Sequence, residues 1–468
     1  MSSDAEAASM TSRGPVLVDR SQLPALKPVP RFQFPDVTRS TLANGLRVWT
    51  ARHTVVPMTG LLLLVRRGAA SDPVGREGLA AITTDMLDEG VGSLSAIDVH
   101  QELQGIGAQL DTDVGADAIL VGLTSLSRVT GRALAFLADM VVRPALRDDD
   151  FTRVRQQRLH RLVQLRDMPG VIAERAFAKL LFGGTPYGHT PLGSEPSLAA
   201  MTVDDVRDFH GRTLRPEDAT LVAVGDLDHA TILSLAERAF GEWTASGEPP
   251  AAGTADLPTP ARLNVVLRAG APQSELRIGH VGVARTTPDY HALVAANMVL
   301  GGQYVSRVNL NLRADKGITY GVRTAFEFRR RPGPFVLSVS VDKAATALAI
   351  SESIKEISDI RGARPVTKDE LEVGIAALTR GYARNFETFD QVARAVAQLS
   401  LFDLPESFYT DFVPRIEALT PDDVSRAAER HLDPARLTTL VVGDVDATSQ
   451  EFGRLNLGAP ELVSPDSI

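Results

Sequence analysis

Hydrophobic and polar positions along the chain switch repeatedly between a strand-like and a helix-like period. Ser40 to Thr50 (STLANGLRVWT) reads as a hairpin, with Asn44-Gly45 suited to a type I′ turn between short strands. Thr59 to Arg66 is an apolar run of strand length that stops at Arg66-Arg67. Gly78 to Glu89 has helical spacing, and further helices are predicted at Ala96–Ile106, Ser127–Val142 and Asp148–Arg166. Beyond the middle of the chain, Leu263–Arg268 and Glu275–Val281 read as strands, and Tyr290–Leu300 and Val305–Arg313 as helices. Thr319–Phe328 and Gly333–Val341 then read as paired strands. Strands and helices do not alternate as regular βαβ units, so the pattern predicts an α+β protein with sandwich-like halves rather than one doubly wound sheet.

An internal repeat defines those halves. MTVDDVRDFHGRTLRPEDATLVAVGDLD starts at Met201 and LTPDDVSRAAERHLDPARLTTLVVGDVD at Leu419, an offset of 218 with 12 of 28 paired positions identical. In both copies a Thr N-cap followed by Asp-Asp starts a helix, a Leu-x-Pro turn ends it, and a strand follows. Thr244 to Arg262 is rich in Pro, Ala, Gly and Thr without periodicity and reads as a linker. The predicted organisation is an arm over 1–31, a first half over 32–243, the linker over 244–262, a second half over 263–459 and a tail over 460–468.

Composition narrows the chemistry. The 468 residues carry a net charge of −9, which argues against a nucleic-acid or anionic-membrane surface, since both need a clustered basic excess. There are no cysteines, so disulfides, thiolate metal sites and Cys nucleophiles are excluded. No segment is long and apolar enough to span a bilayer, and the first 30 residues show no signal peptide. The expectation is a soluble cytoplasmic protein. The nine histidines include no close pair, and Gly183-Gly184 and Gly301-Gly302 lack a phosphate-loop context.

The stretch LGGQYVSRVNLNLRADKGITYGV, Leu300 to Val322, resembles the C-terminal half of the M16 (inverzincin, pitrilysin-like) peptidases, which read LGGG-x-S-SRL-x-x-x-LRE-KGL-x-Y there. LANGLRV from Leu42, RRGAASDPVGREGLA from Arg66 and PYGHTPLG from Pro186 match further landmarks of that family in order, so the resemblance covers roughly residues 36 to 456. It implies two homologous halves, each a mixed, largely antiparallel sheet with helices.

The resemblance also implies where catalysis should sit. Active members carry H-x-x-E-H after the GLA landmark and a further Glu about 75 residues on. Positions i and i+4 share one helix face, so two histidines hold one Zn²⁺ while the Glu serves as general base. Here that stretch is GLAAITTDML, which puts Ala81 and Asp85 at the two His positions, Thr84 at the base, and Arg161 at the distal ligand. Between Phe151 and Ala173 the only acid is Asp167. Ala81 cannot coordinate, Thr84 is no base, and Arg161 would repel a dication. The family's C-terminal Arg and Tyr, seven residues apart, match Arg313 and Tyr320. In the family the Tyr hydroxyl binds the oxyanion and the Arg holds substrate carbonyls, reaching a zinc site across the chamber.

The leading expectation is therefore a non-catalytic subunit of a heterodimeric M16B zinc metallopeptidase. An H-x-x-E-H-bearing sister subunit would hold the zinc, and this chain would complete its site with Arg313 and Tyr320 to hydrolyse short or unfolded peptides. The alternatives are an inert scaffold subunit and a stand-alone peptidase with unusual ligands such as Asp85. Plainer readings stand beside these. Arg313 would be a helix C-terminal cation and Tyr320 a half-buried strand aromatic. Asp85, Asp88 and Glu89 would be a solvated helix end, with Asp85 a candidate partner for Arg161. The run Arg153, Arg155, Arg158, Arg161, Arg166 with His160 would be a wetted face, and His189 a structural loop residue. The long linker would permit hinge motion between halves.

Overall fold

A computed structural model describes residue 21 and residues 31–250, 255–447 and 449–464. The chain divides into two units, Met1–Arg31 and Phe32–Ile468, and only Ser21 and Arg31 of the first are described.

The apolar, β-branched runs become β1 (Val37–Thr41), β2 (Arg47–Arg52), β3 (Met58–Val65), a two-residue hairpin β4 (Gly90–Val91) and β5 (Leu94–Ser95), then β6 (Gln109–Val114), β7 (Ile119–Leu126) and β8 (Ala219–Gly225). The second half contributes β9 (Leu263–Leu267), β10 (Gln273–Val281), β11 (Val322–Phe326), β12 (Pro334–Asp342), β13 (Thr438–Gly443) and β14 (Glu461–Leu462). The two large sheets run β1-β2-β8-β3-β7-β6 and β11-β12-β10-β13-β9-β14. Read from opposite ends they share the same order over five strands, with one interior parallel pair each, β2 with β8 and β9 with β13. They differ at one edge, where β1 is antiparallel to β2 but β14 is parallel to β9. Part of the predicted tail, 461–462, thus serves as an edge strand.

The sequence repeat falls on the same elements twice. Thr202 and Thr420 cap the helices Val203–Thr213 and Pro421–His431, each in a capping box with Asp205 or Asp423. The hairpin loop differs from expectation. Gly45 is left-handed at φ +93 but Asn44 is not, and Gly45 N–H bonds Leu42 O at 3.0 Å. The connection is a three-residue loop with glycine at its last position rather than a type I′ turn. Asn44 instead uses its side chain, donating to the Phe240 carbonyl at 2.7 Å.

Each half lends the other a helix. Phe389–Leu401 of the second half lies on the first sheet, where Val392, Val396 and Leu399 bury Leu62, Leu64, Val222 and Val224. Pro169–Phe182 of the first half lies on the second sheet, with Ile172, Ala176 and Phe177 against Val266, Val336, Leu440 and Val442. A sheet apolar on both faces needs two covers, and only one comes from its own half. Polar bonds follow the same seam: Arg66 donates to the Ser400 carbonyl at 2.9 Å and pairs with Asp403, and Thr220 and Ser400 share a buried 2.7 Å bond. The start of the linker is tied to the first half, with Arg212 Nε on the Glu248 carbonyl at 2.8 Å and Arg215 on that of Gly247 at 2.6 Å. The exchanged helices and the seam bonds to Ser400 and Asp403 oppose the hinge motion that the linker's length alone would allow. No helix among the described residues is long and apolar enough to cross a membrane.

Candidate functional site

The predicted helix Gly78–Glu89 stops at Asp85, after two turns, and the chain turns into the β4–β5 hairpin. Its N-terminus is capped from a distance: Asp72 accepts the N–H groups of Gly78 and Ala80, both at 2.7 Å. His189 of PYGHTPLG closes this arrangement, with Nε2 at 3.2 Å from Asp72 and 2.9 Å from the Ala69 carbonyl. Burial pushes Asp72 up while bonds from His189 and the two amides pull against it. Burial alone would lower His189, but Asp72 and Ala69 outweigh it and hold its pKa above the ordinary value. His189 is thus part of the scaffold of the helix start.

Two of the degenerate metal positions, Ala81 and Thr84, are buried, whereas Asp85 is half-buried and Arg161 exposed. Ala81 is 5% exposed and Thr84 2%, and the Thr84 hydroxyl is spent on the Ala80 carbonyl at 2.8 Å. Asp85 pairs with Arg158 at 2.5 Å, and Arg158 also donates to the Pro191 carbonyl at 2.9 Å. Arg161, the expected distal position and expected partner of Asp85, is exposed; the face of helix Asp148–Leu165 that meets the short helix is one turn earlier. A carboxylate held by a guanidinium, beside an alanine and a back-bonded threonine, does not fit zinc. Among the described residues no group of three His, Asp or Glu could hold a metal.

The neighbouring charges are also engaged. Glu89 pairs with Arg153, and Asp88 lies 3.7 Å from His100. Arg155 reaches the Met201 carbonyl at 2.9 Å and stacks on Phe151. Three of the five arginines in the basic run therefore dock their helix onto the rest of the half, contrary to a merely wetted face. Farther along lies a cleft of about 1030 Å³ lined by Asp72, Val74, Leu162, Arg166, His189 and Glu195 among others. None of the six predicted site residues lines it.

The second-half pair has the opposite character. Arg307–Asn309 forms one helical turn, and Leu310–Asp315 widens into a π turn that Gly317 ends at φ +65. Arg307 is buried and grips Glu370 with two bonds of 2.7 Å, locking the turn to the helix Lys368–Thr379. Arg313, in the last turn as expected, has its guanidinium over the Tyr304 ring at 3.9 Å. Tyr320 precedes β11 instead of sitting in it and is 96% exposed, so it is not a half-buried strand aromatic. With that exposure it touches almost nothing of its own chain. Tyr304 and Asn309, absent from the sequence reading, complete this segment; Tyr304 falls at a position the motif leaves open, and nothing in the spacing marks Asn309.

Comparison with known proteins agrees with this architecture. Residues 47–193 match the family described as insulinase (peptidase family M16), and residues 200–378 match the peptidase M16 inactive domain. An uncharacterized zinc protease of Streptomyces coelicolor is 22% identical over 87% of this chain and 89% of its own. A probable mitochondrial-processing peptidase subunit beta of Schizosaccharomyces pombe is 20% identical over 88% and 92%. Among solved structures, a peptidase M16 inactive domain from Pseudomonas fluorescens superposes with a TM-score of 0.80 at 24% identity, covering 88% of this chain and 99% of that one. A protease from Helicobacter pylori gives 0.81 at 19% identity, covering 87% and 99%. With both halves matched in order and both sheets in place, this chain belongs to peptidase family M16.

Proposed function

We propose that this chain is the non-catalytic subunit of a two-chain M16 peptidase and completes the zinc site of a sister subunit with Arg313 and Tyr320. The observation that carries the reading is the contrast within one molecule. The positions that would hold a metal are chemically unsuited, with Ala81 and Thr84 buried and Asp85 paired to Arg158, whereas Arg313 and Tyr320 sit on a hydrogen-bonded segment with Tyr320 in solvent. A hydroxyl that contacts so little of its own chain is free to serve a neighbouring one.

In this reading the sister subunit brings the zinc and the general base. Tyr320 donates its O–H to the oxyanion of the tetrahedral intermediate, and Arg313 orients the peptide through its carbonyl groups. The peptide is held extended as an added strand, which fits short or unfolded substrates. β6, an edge strand with Gln109, Asp111 and Asp113 exposed, offers such an edge. The corresponding edge, β11, does not, because its Val322 and Thr324 amides are taken by Asn309 and the Gly301 carbonyl.

The test is the zinc content and peptidase activity of the purified chain, alone and mixed with a sister chain carrying intact H-x-x-E-H. The expected result is zinc far below one per chain and no cleavage alone, with cleavage restored on mixing. Stoichiometric zinc in the chain alone would overturn the reading. Stable mixing in which this chain makes no difference to cleavage would favour an inert scaffold.

A further inference from the structure

One buried amide ties together the separate parts of the segment that carries Arg313 and Tyr320. Asn309 is 6% exposed, and its Nδ2 donates to the Gln303 carbonyl at 3.1 Å, Ser306 Oγ at 3.0 Å and the Val322 carbonyl at 2.7 Å. Its Oδ1 accepts the Val322 N–H at 2.9 Å. Gln303 adjoins Tyr304, Val322 follows Tyr320 by two residues, and Asn309 immediately precedes the π turn that bears Arg313. Both faces of the side chain are therefore used, with two hydrogens shared among three acceptors. Thr319 pins the other flank of Tyr320: its Oγ1 donates to the Ser340 carbonyl at 2.8 Å and accepts the Gly321 N–H at 3.2 Å.

Tyr304 is the second part of the device. It is 65% exposed, so burial does not account for an aromatic ring there, and the Arg313 guanidinium lies over its face. The Arg313 side chain makes no ion pair or hydrogen bond among the described residues, which leaves the ring to fix its guanidinium.

We propose that Asn309 and Tyr304 are positioning residues that hold Arg313 and Tyr320 in place before any partner or peptide arrives; this rests on the role given to that pair above. Donors fixed in advance need no reordering when charge develops on the substrate. Asn309 holds the backbone on both sides of the pair, and Tyr304 holds the Arg313 guanidinium.

Two readouts on the chain alone test this. In Asn309→Leu, amide hydrogen exchange across 303–306 and at Val322 should speed up by at least tenfold while β10 and β12 keep their protection; Asn309→Asp, which keeps only the acceptor, serves if the leucine variant does not fold. In Tyr304→Leu, the ring-shifted Nε–H resonance of Arg313 should move, and Tyr304→Phe should leave it in place. In the mixed enzyme Tyr304→Leu should raise KM roughly two- to fivefold with kcat kept, and Tyr304→Phe should restore it. Unchanged exchange at Val322, or a phenylalanine variant that behaves like the leucine one, would overturn the proposal even if Tyr320 proves essential. Should Tyr320→Phe have no effect on turnover, the role of the pair fails, and the exchange and resonance data still decide whether Asn309 and Tyr304 hold it.

Discussion

Tyr320 lies in a position that stability alone would not choose: a tyrosine 96% exposed on a segment pinned by buried hydrogen bonds. Replacing it with phenylalanine should leave folding and subunit affinity unchanged while lowering kcat of the mixed enzyme by about 10²–10³, the usual loss when one oxyanion donor is removed. Arg307 shows the contrasting case of a residue that acts through stability. Its side chain is 3% exposed and bidentate on Glu370, so Arg307→Met should destabilise the chain by roughly 2–4 kcal/mol, somewhat below a fully buried pair because Glu370 is itself partly solvated. Arg307→Lys should recover little, since one ammonium cannot make both bonds. Burial would raise Glu370, but Arg307 and the Thr367 amide outweigh it and bring the carboxyl down to about 2. That depressed value contributes stability above about pH 4.5, and the contribution is lost as pH falls from there towards 2. Urea midpoints measured across this window should drop less steeply in Glu370→Gln. At this scale the spacing Arg313–Tyr320 was legible in the sequence because the motif is contiguous. The partner of Asp85 was not: counting along the chain leads to Arg161, and only the rotation of the packed helix selects Arg158.

Among the elements, strands and long helices were read well where period and caps agreed, as in Tyr290–Leu300 and in the two Thr-capped repeats. The reading of Gly78–Glu89 ran past the helix end at Asp85, and Val305–Arg313 was read as a regular helix where the chain makes one turn over Arg307–Asn309 and then widens into a π turn. The exchange of helices was invisible to periodicity. Phe389–Leu401 declares an apolar face but not which sheet that face will cover. Its consequence is testable. Val396→Asp would place a charge against Leu62, Leu64, Val222 and Val224 and should destabilise both halves together. Calorimetry of the intact chain should show one cooperative transition that shifts as a unit. Two separable transitions, with only the second-half one displaced, would mean that the halves are energetically independent.

For the whole molecule, family and duplication were present in the sequence, whereas closure of the halves on each other was not. Three histidines, His280 buried and His210 and His291 half-buried, also couple the fold to pH. Burial lowers His210 and His280, and His280 Nε2 accepts the Asp433 N–H at 3.2 Å while Nδ1 faces the Val281 carbonyl at 2.9 Å, so the neutral ring is the one bound. Burial, helped by Arg415 and Arg285, brings His291 down to about 4 among Tyr290, Phe408 and Phe412. Their stabilisation is complete above about pH 6.5 and declines as pH falls below it, because the unfolded chain takes up protons that the folded one refuses. Melting temperatures should therefore fall between pH 7 and pH 5, and His291→Phe should flatten part of that slope.

The central claim is that this chain lends chemistry to a site held by another. The most direct measurement is kcat for peptide hydrolysis by the H-x-x-E-H sister chain mixed with wild-type chain or with Tyr320→Phe, at matched and saturating complex formation. A loss of about 10²–10³ with an intact complex is the expected result. Equal turnover by the two mixtures would contradict the account and leave this subunit a scaffold.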